Sequence, residues 1–275
     1  MLKLNQNYIK KIVRLALDED LKPFGDITSK LIKNKKNKAK IIAKQNGIIA
    51  GLSFCKSAFS LTGKETIFSS KIKDGMKVRK GSVIAKIYAN NKTILTAERT
   101  ALNFLSHASG IATLTNEYVQ RSIKDTKICC TRKTLPNLRL LEKYAVKKGG
   151  GFNHRYNLSD EIMIKDNHIS AEKNFRELVK KAIKTGKIIT VEIENATQLK
   201  QILGLKFKRI LFDNMNLLEL KKCIKICKNN YETEYSGNVN LKNIKKISKT
   251  KVDRISIGSL THSSKALDFS LQIYN

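Results

Sequence analysis

Between residues 127 and 260 the chain alternates short β-rich runs with helical segments. The runs are KICCTRKT, EIMIKDN, IITVEIEN, RILFDN, YETEYSG and RISIGSL. Between them lie LRLLEKYAVKK, AEKNFRELVKKAIKTG, ATQLKQILGL, NLLELKKCIKIC and NLKNIKKIS. Strands regularly followed by helices imply parallel strands joined by crossover connections. At least six such units imply a closed or nearly closed β/α barrel, with an open doubly wound sheet as the alternative.

The first part of the chain, to about residue 105, reads as mixed α+β. MLKLNQNYIKKIVRLALDEDL has the pattern of an amphipathic helix and lacks the apolar region and cleavage site of a secretion signal. KAKIIAKQNGIIAGLSFCKSAF reads as strand, Asn-Gly turn, strand and helix. KIKDGMKVRKGSVIAKIYAN reads as three strands separated by turns at Gly75 and Gly81. ILTAERTALNFLSHASGIAT places Leu102, Leu105 and Ala108 at helical spacing.

Composition removes several classes. No apolar run approaches the ~20 residues of a membrane span, and a cytosolic location is expected. The five cysteines form no CxxC pair, and Cys223 and Cys227 share a helix face without the further soft ligands a zinc site needs. Reduced, buried thiols are expected. The net charge of +31 raises a nucleic-acid reading. The excess is lysine spread along the whole chain, Trp is absent, and no basic stripe alternates with stacking aromatics. A lysine-coated, solvated surface is the simpler reading.

In a β/α barrel the chemistry sits at the C-terminal ends of the strands. Here those ends carry Arg132 and Lys133, then Lys165 and His168, then Glu192 and Glu194, then Asp213, then Ser236-Gly237-Asn238, then Gly258-Ser259. The two late turns are small and able to cradle phosphate with backbone N–H groups. Glu194 and Asp213 could hold Mg²⁺ with substrate phosphates completing the shell. Glu192 shares a strand face with Glu194 and competes for that role. Arg132, Lys133, Arg155 and Lys165 suit carboxylates or phosphates. The stretch KKGGGFNHR then reads as a flexible loop that delivers His154 and Arg155 while its glycines let backbone pass close to a flat ligand. His107 and His262 read as helix or supporting residues, and His168 as support for Lys165.

The block TRKTLPNLRLLEKYAVKKGGGFNHRYNLSDEIMIKDNHI closely resembles the central block of the quinolinate phosphoribosyltransferases, the carboxylating nicotinate-nucleotide pyrophosphorylases. LALDEDLKPFGDITS, AERTALNFLSHASGIAT, VEIEN, LFDN, SGN and ISIGSLTHSSKALDFSL extend the resemblance over nearly the whole chain. It implies an N-terminal α+β sandwich domain over 1–106, an incomplete, seven-stranded β/α barrel over 107–265, and a tail over 266–275 returning to the first domain. It also implies the Mg²⁺-dependent reaction of quinolinate with phosphoribosyl pyrophosphate, giving nicotinate mononucleotide, pyrophosphate and CO₂ for NAD biosynthesis.

Carried over by position, Arg99, Arg132, His154, Arg155 and Lys165 surround quinolinate. Lys133, Lys165, Glu194, Asp213, Ser236, Gly237, Asn238, Gly258 and Ser259 hold phosphoribosyl pyrophosphate and the metal. Of these, Lys133, Lys165, Glu194 and Asp213 carry the catalytic roles. The resemblance also implies a homodimer, or a higher assembly built on it, in which Arg99 completes the partner's site. Two positions depart from the family pattern: Asn137 and Asn238 stand where glycine is usual, and Asn tolerates positive φ better than most residues. A related pyrophosphorylase of the same fold with another acceptor, such as the molybdenum-associated paralogue, is the nearer alternative. A basic nucleic-acid-binding protein is the alternative from another class.

Overall fold

The computed structural model of the chain describes residues 4–172, 174–227 and 230–274. Met1–Lys3, the start of the expected first helix, and Lys173 in the AEKNF segment lie outside that set. The chain forms two compact units, one of residues 1–116, 134–150 and 260–275, the other of 117–133 and 151–259. Among the described residues no helix is long and apolar enough to cross a membrane.

The first unit contains α1 (Gln6–Leu21), β1 (Lys36–Ala43), β2 (Gly47–Ile48), α2 (Leu52–Thr62), β3 (Ile67–Ser69), β4 (Lys77–Val78) and β5 (Val83–Asn90). It continues with α3 (Asn91–Arg121, as far as residue 116), α4 (Arg139–Lys148) and, after the second unit's elements, α10 (Ser259–His262, from residue 260) and β12 (Phe269–Tyr274). Asn5 caps α1 by accepting from the Tyr8 N–H at 2.7 Å, and Ile9, Ile12, Val13 and Leu17 form its buried stripe. An antiparallel sheet runs in the order β12-β1-β5-β3. The C-terminal strand thus pairs with β1, Phe269 opposite Ala43. The sequence pattern suggests a strand at KIKDG; the third sheet strand is instead β3, just before it.

The second unit contains β6 (Lys127–Cys129), β7 (Ile162–Ile164), α5 (Asp166–Ala171), α6 (Phe175–Ile183), β8 (Ile189–Ile193), α7 (Ala196–Ile202), β9 (Arg209–Asp213), α8 (Leu217–Cys227), β10 (Glu232–Ser236), α9 (Ile244–Ser248) and β11 (Arg254–Ser256). Six strands form one sheet, order β6-β11-β10-β9-β8-β7, parallel throughout. All five residues of β8 are buried, as expected of a strand covered on both faces. The helices bury one stripe each: Phe175, Val179 and Ala182 on α6, Leu220, Cys223 and Cys227 on α8. Asn174 and Asn195 cap α6 and α7 through their side-chain oxygens.

The GGGFNHR stretch is more than a flexible loop. Phe152 forms a parallel bridge with Cys129: its N–H donates to Ile128 O at 2.8 Å, and Cys130 N–H donates to Phe152 O at 3.0 Å. A seventh chain segment therefore flanks β6, at the opposite end of the sheet from β7. Arg155 Nη1 donates to the carbonyl of Glu161, the residue before β7, at 3.0 Å, so a side chain links the two ends where backbone pairing stops.

The glycines have a local explanation. A Cβ on Gly149 would sit 2.3 Å from Ala112 O, and Gly150 adopts φ +90°. The first two serve helix packing and a left-handed turn within the first unit, and the chain then enters the sheet at Phe152.

The five cysteines are free and buried. Burial pushes the thiols of Cys55 and Cys129 far up and that of Cys227 up to about 12. None of these three is poised as a thiolate nucleophile.

Candidate active site at the strand ends

Parallel strands bring all their C-terminal ends to one edge. The register sets Cys129, Ser256, Ser236 and Asp213 at one level across β6, β11, β10 and β9. Beyond that level lie Arg132, Lys133, Gly237-Asn238 and Gly258-Ser259, and the chain leaving Phe152 brings His154 and Arg155. Lys165 follows β7 directly and precedes α5.

The cations are crowded. Arg155 is 9% exposed. Burial and the neighbouring Arg132 charge pull its guanidinium below its usual value, while Glu161 and Glu192 oppose that shift. Like charges brought near one another suit more than one negative charge. Lys165 Nζ meets Glu192 Oε2 at 2.7 Å. His168 serves the backbone rather than the ammonium, its Nδ1 accepting from Lys165 N–H at 3.1 Å.

The carboxylates separate Glu192 from Glu194. Glu192 is inside β8 and 8% exposed. Burial raises its carboxyl above the ordinary value; Asp213 and Asp166 push the same way and Lys165 opposes them. Glu194 is exposed, beyond the last residue of the strand, and its backbone N–H donates to Gln198 Oε1 at 2.7 Å. Extending the register would set Glu194 level with Asp213, but the group whose charge is coupled to Asp213 and to Lys165 is Glu192. Glu194 and Glu192, both weighed for a metal-facing role, are thus set apart by exposure and by charge.

The phosphate-type turn forms despite its asparagine. Gly237 has φ +105° and Asn238 φ +48°. Asn238 Nδ2 donates to Asn214 Oδ1 at 3.2 Å, turning its amide toward protein. Asn214, the last residue of LFDN and one given no role by the sequence, also has positive φ, donates its N–H to Ser236 O at 2.9 Å, and reaches Asp213 Oδ2 at 2.9 Å. It joins Asp213 to the turn. A Cβ on Gly237 would lie 2.8 Å from Asn214 N and still closer to its amide, so glycine is required there. Asn137 likewise takes positive φ at 63°.

Beneath the strand ends lies a buried ionic layer that no sequence motif announces. Arg209 Nη1 reaches Glu161 Oε1 at 2.8 Å, and its Nε reaches Glu232 at 2.9 Å and Glu234 at 3.4 Å. Arg254 Nε meets Glu234 at 3.1 Å, and Ser256 Oγ donates to the same carboxylate. His154 Nε2 lies 3.5 Å from Glu234 Oε1. Burial alone would raise the Glu234 carboxyl, but His154, Arg254 and Ser256 hold it at about 2. Because this is below its ordinary 4.5, the stabilisation is fully present above 4.5 and is lost as pH falls toward about 2. The pH-dependent part is on the order of 3 kcal/mol. Urea midpoints measured from pH 6 to pH 3 are expected to fall less steeply for Glu234→Gln than for the parent chain. Parallel slopes would contradict the assignment.

Arg99 is exposed on α3 of the first unit, as are Phe24, Ile27, Leu31 and Leu95 elsewhere on that unit. Asp26 and Asp20 tie the 18–31 stretch to α3, accepting from Thr96 at 3.0 Å and Thr100 at 3.1 Å. Among the described residues no group of three or more His, Cys, Asp or Glu is arranged to hold a metal ion unaided.

Two family profiles match the chain. The N-terminal domain of quinolinate phosphoribosyl transferase matches residues 26–109, and its C-terminal domain residues 111–272. A probable carboxylating nicotinate-nucleotide pyrophosphorylase of Bacillus subtilis (strain 168) is 41% identical over 276 residues, covering 98% of this chain and 95% of that one. The mitochondrial decarboxylating quinolinate phosphoribosyltransferase 2b of Nicotiana tabacum is 38% identical over 288 residues, covering 96% and 82%. The structure of the nicotinate-nucleotide pyrophosphorylase from Francisella tularensis superposes with a TM-score of 0.95 at 36% identity, covering 99% and 98% of the two chains. The chain belongs to the quinolinate phosphoribosyltransferase family.

Proposed function

We propose that this protein transfers the phosphoribosyl group of phosphoribosyl pyrophosphate to quinolinate and releases CO₂, giving nicotinate mononucleotide and pyrophosphate for NAD biosynthesis. The observation that carries the acceptor is the buried Arg155 guanidinium, on which the Arg132 charge acts unfavourably and which a dicarboxylate would relieve. Lys165 adds a third cation at the next strand end. The Ser236–Asn238 and Gly258-Ser259 turns offer backbone donors to phosphates, as expected of the last loops of a β/α barrel. Cations set against carboxylates suit a compact anion with a metal better than an extended polyanion.

The donor set fits Mg²⁺. Glu192 and Asp213 would hold it through carboxylate oxygens whose like charges oppose each other, with substrate phosphates supplying the further oxygens. When bound, Mg²⁺ offsets charge on the departing pyrophosphate. Lys165 and Lys133 supply further positive charge where pyrophosphate leaves the ribose C1. As that bond breaks, C1 takes on oxocarbenium character and the pyridine nitrogen of quinolinate, oriented by its two carboxylates, bonds to it. The nitrogen is then cationic, so the adjacent C2–carboxylate bond can break with its electron pair stabilised by the ring. CO₂ leaves, and the ring carbon takes a proton. No enzyme nucleophile is used, in keeping with the buried thiols.

The functional assembly is read as a homodimer. The exposed Phe24, Ile27, Leu31 and Leu95, on the same unit as exposed Arg99, provide apolar surface for a second copy. Arg99 would then serve the partner's pocket.

Acceptor choice is tested by titration calorimetry without phosphoribosyl pyrophosphate. Quinolinate is expected to bind at least about tenfold more tightly than nicotinate, since one carboxylate would leave a buried cation unmatched. Equal affinities would remove the dicarboxylate pocket from the account.

A further inference from the structure

The N-terminal edge of the parallel sheet, opposite the strand ends where the chemistry sits, carries a cavity of about 620 Å³. That volume is in the range of sites that take small organic ligands. All of its lining belongs to the second unit. One part of the lining is apolar: Phe207 shortly before β9, Tyr231 just before β10 and Ile224 on α8. The two rings pack at 4.8 Å between centroids, tilted by 40°. The Tyr231 hydroxyl donates to Leu205 O at 2.9 Å, so its polar tip is tied to protein while the residue lines the cavity.

The charged lining is Lys127, Lys208 and Lys251 with Glu232 and Asp253. Both carboxylates are already engaged. Asp253 Oδ2 accepts from the N–H and the hydroxyl of Thr233, at 2.7 and 2.6 Å. Glu232 accepts from Arg209 Nε at 2.9 Å and meets Lys127 at 3.4 Å. Burial would raise the Glu232 carboxyl, but Arg209, Arg254 and Lys127 hold it below its usual value. Among the described residues neither Lys208 nor Lys251 has a carboxylate partner. The backbone beneath these cations is fixed. Glu232 N–H donates to Lys208 O at 3.0 Å, and Lys127 N–H to Asp253 O at 2.9 Å. Lys251 takes φ +66°, a left-handed conformation uncommon for lysine, with its N–H on Ser248 O at 2.9 Å.

We infer that this cavity binds a planar ring carrying a phosphate, of the size of a nucleoside monophosphate: Phe207 and Tyr231 take the ring, and Lys208 and Lys251 take the phosphate. Stacking on aromatic side chains tolerates any base, and ammonium groups bind phosphate as point charges. Asn230, also on the lining, carries an amide donor and acceptor suited to the edge of the ring. In a β/α barrel this edge is not the catalytic one. Such a site is separate from the phosphoribosyl transfer proposed above and does not depend on it.

Titration calorimetry on the full-length protein provides the test, with adenosine 5′-monophosphate as probe and adenosine and inorganic phosphate as separate arms. The nucleotide is expected to bind at a single site per chain with Kd below about 1 mM, and at least about tenfold more tightly than either fragment. The double variant Lys208→Ala/Lys251→Ala should weaken it at least about tenfold, and Phe207→Leu at least about fivefold. Both lysines are exposed, so the double variant should fold as the parent does and keep turnover within about twofold.

Phosphate or adenosine alone binding as tightly as the nucleotide would overturn the inference. So would nucleotide binding that the lysine double variant leaves intact, since the ligand would then sit elsewhere, and so would the lack of saturable binding below about 1 mM. Turnover with quinolinate is read on the same preparations: its absence in the parent would sink the functional reading and leave this site untouched.

Discussion

Glu192→Gln is expected to lower kcat/KM by about 10²–10³, and Glu194→Gln to leave it within about threefold. The two residues share a strand face, and no sequence pattern separates them. The structure does: Glu192 is enclosed in β8 against Lys165, with its charge coupled to Asp213, whereas Glu194 is exposed past the strand end. An amide in place of the Glu192 carboxylate would keep the shape but lose the charge that pairs with Lys165 and that the proposed mechanism sets toward Mg²⁺. The loss should appear mainly with phosphoribosyl pyrophosphate, and raising Mg²⁺ should not restore it. Equal sensitivity at both positions would return Glu194 to the metal-facing role.

Arg155→Ala should cost a comparable factor, about 10²–10³ in kcat/KM, now expressed through quinolinate. The guanidinium is buried, set against Arg132 and bonded to the Glu161 carbonyl, so no water-exposed neighbour can replace it. Arg155→Lys should recover little, since an ammonium cannot offer a planar fork to a carboxylate. Arg99→Ala should resemble Arg155→Ala despite lying on an exposed helix surface of the other unit. If Arg99 serves the partner's pocket, unfolding and co-refolding the two inactive variants should restore about a quarter of parental activity: about half the dimers are mixed and each has one intact site. No recovery with mixed dimers present would contradict the shared site.

Much of the fold is legible in the sequence alone. The six β-rich runs appear as the six strands of the parallel sheet, five of them because a strand buried on both faces leaves a largely continuous apolar run, while YETEYSG is marked by its β-favouring Tyr and Thr. The seventh segment is masked in the sequence because Gly149 to Gly151 look like a loop. Two of those glycines answer to helix packing and a left-handed turn, and pairing begins only at Phe152. Asn137 and Asn238 take the positive φ that their residue type lets them bear.

The ionic layer beneath the site is illegible for a different reason. Arg209, Glu232, Glu234 and Arg254 sit inside strand-like runs as ordinary polar residues of YETEYSG or as run starters. Only strand order, which puts β9, β10 and β11 side by side, makes them partners. Asn214 is hidden likewise, since its value lies in a backbone twist and a cross-strand contact.

The most direct measurement is turnover with quinolinate labelled in the carboxylate beside the ring nitrogen. Purified protein, Mg²⁺ and phosphoribosyl pyrophosphate should release labelled CO₂ and nicotinate mononucleotide in equal amounts. Neither should form when phosphoribosyl pyrophosphate is omitted, and nicotinate in place of quinolinate should give no mononucleotide. A folded protein that produces neither product, or that accepts nicotinate equally well, would contradict the account.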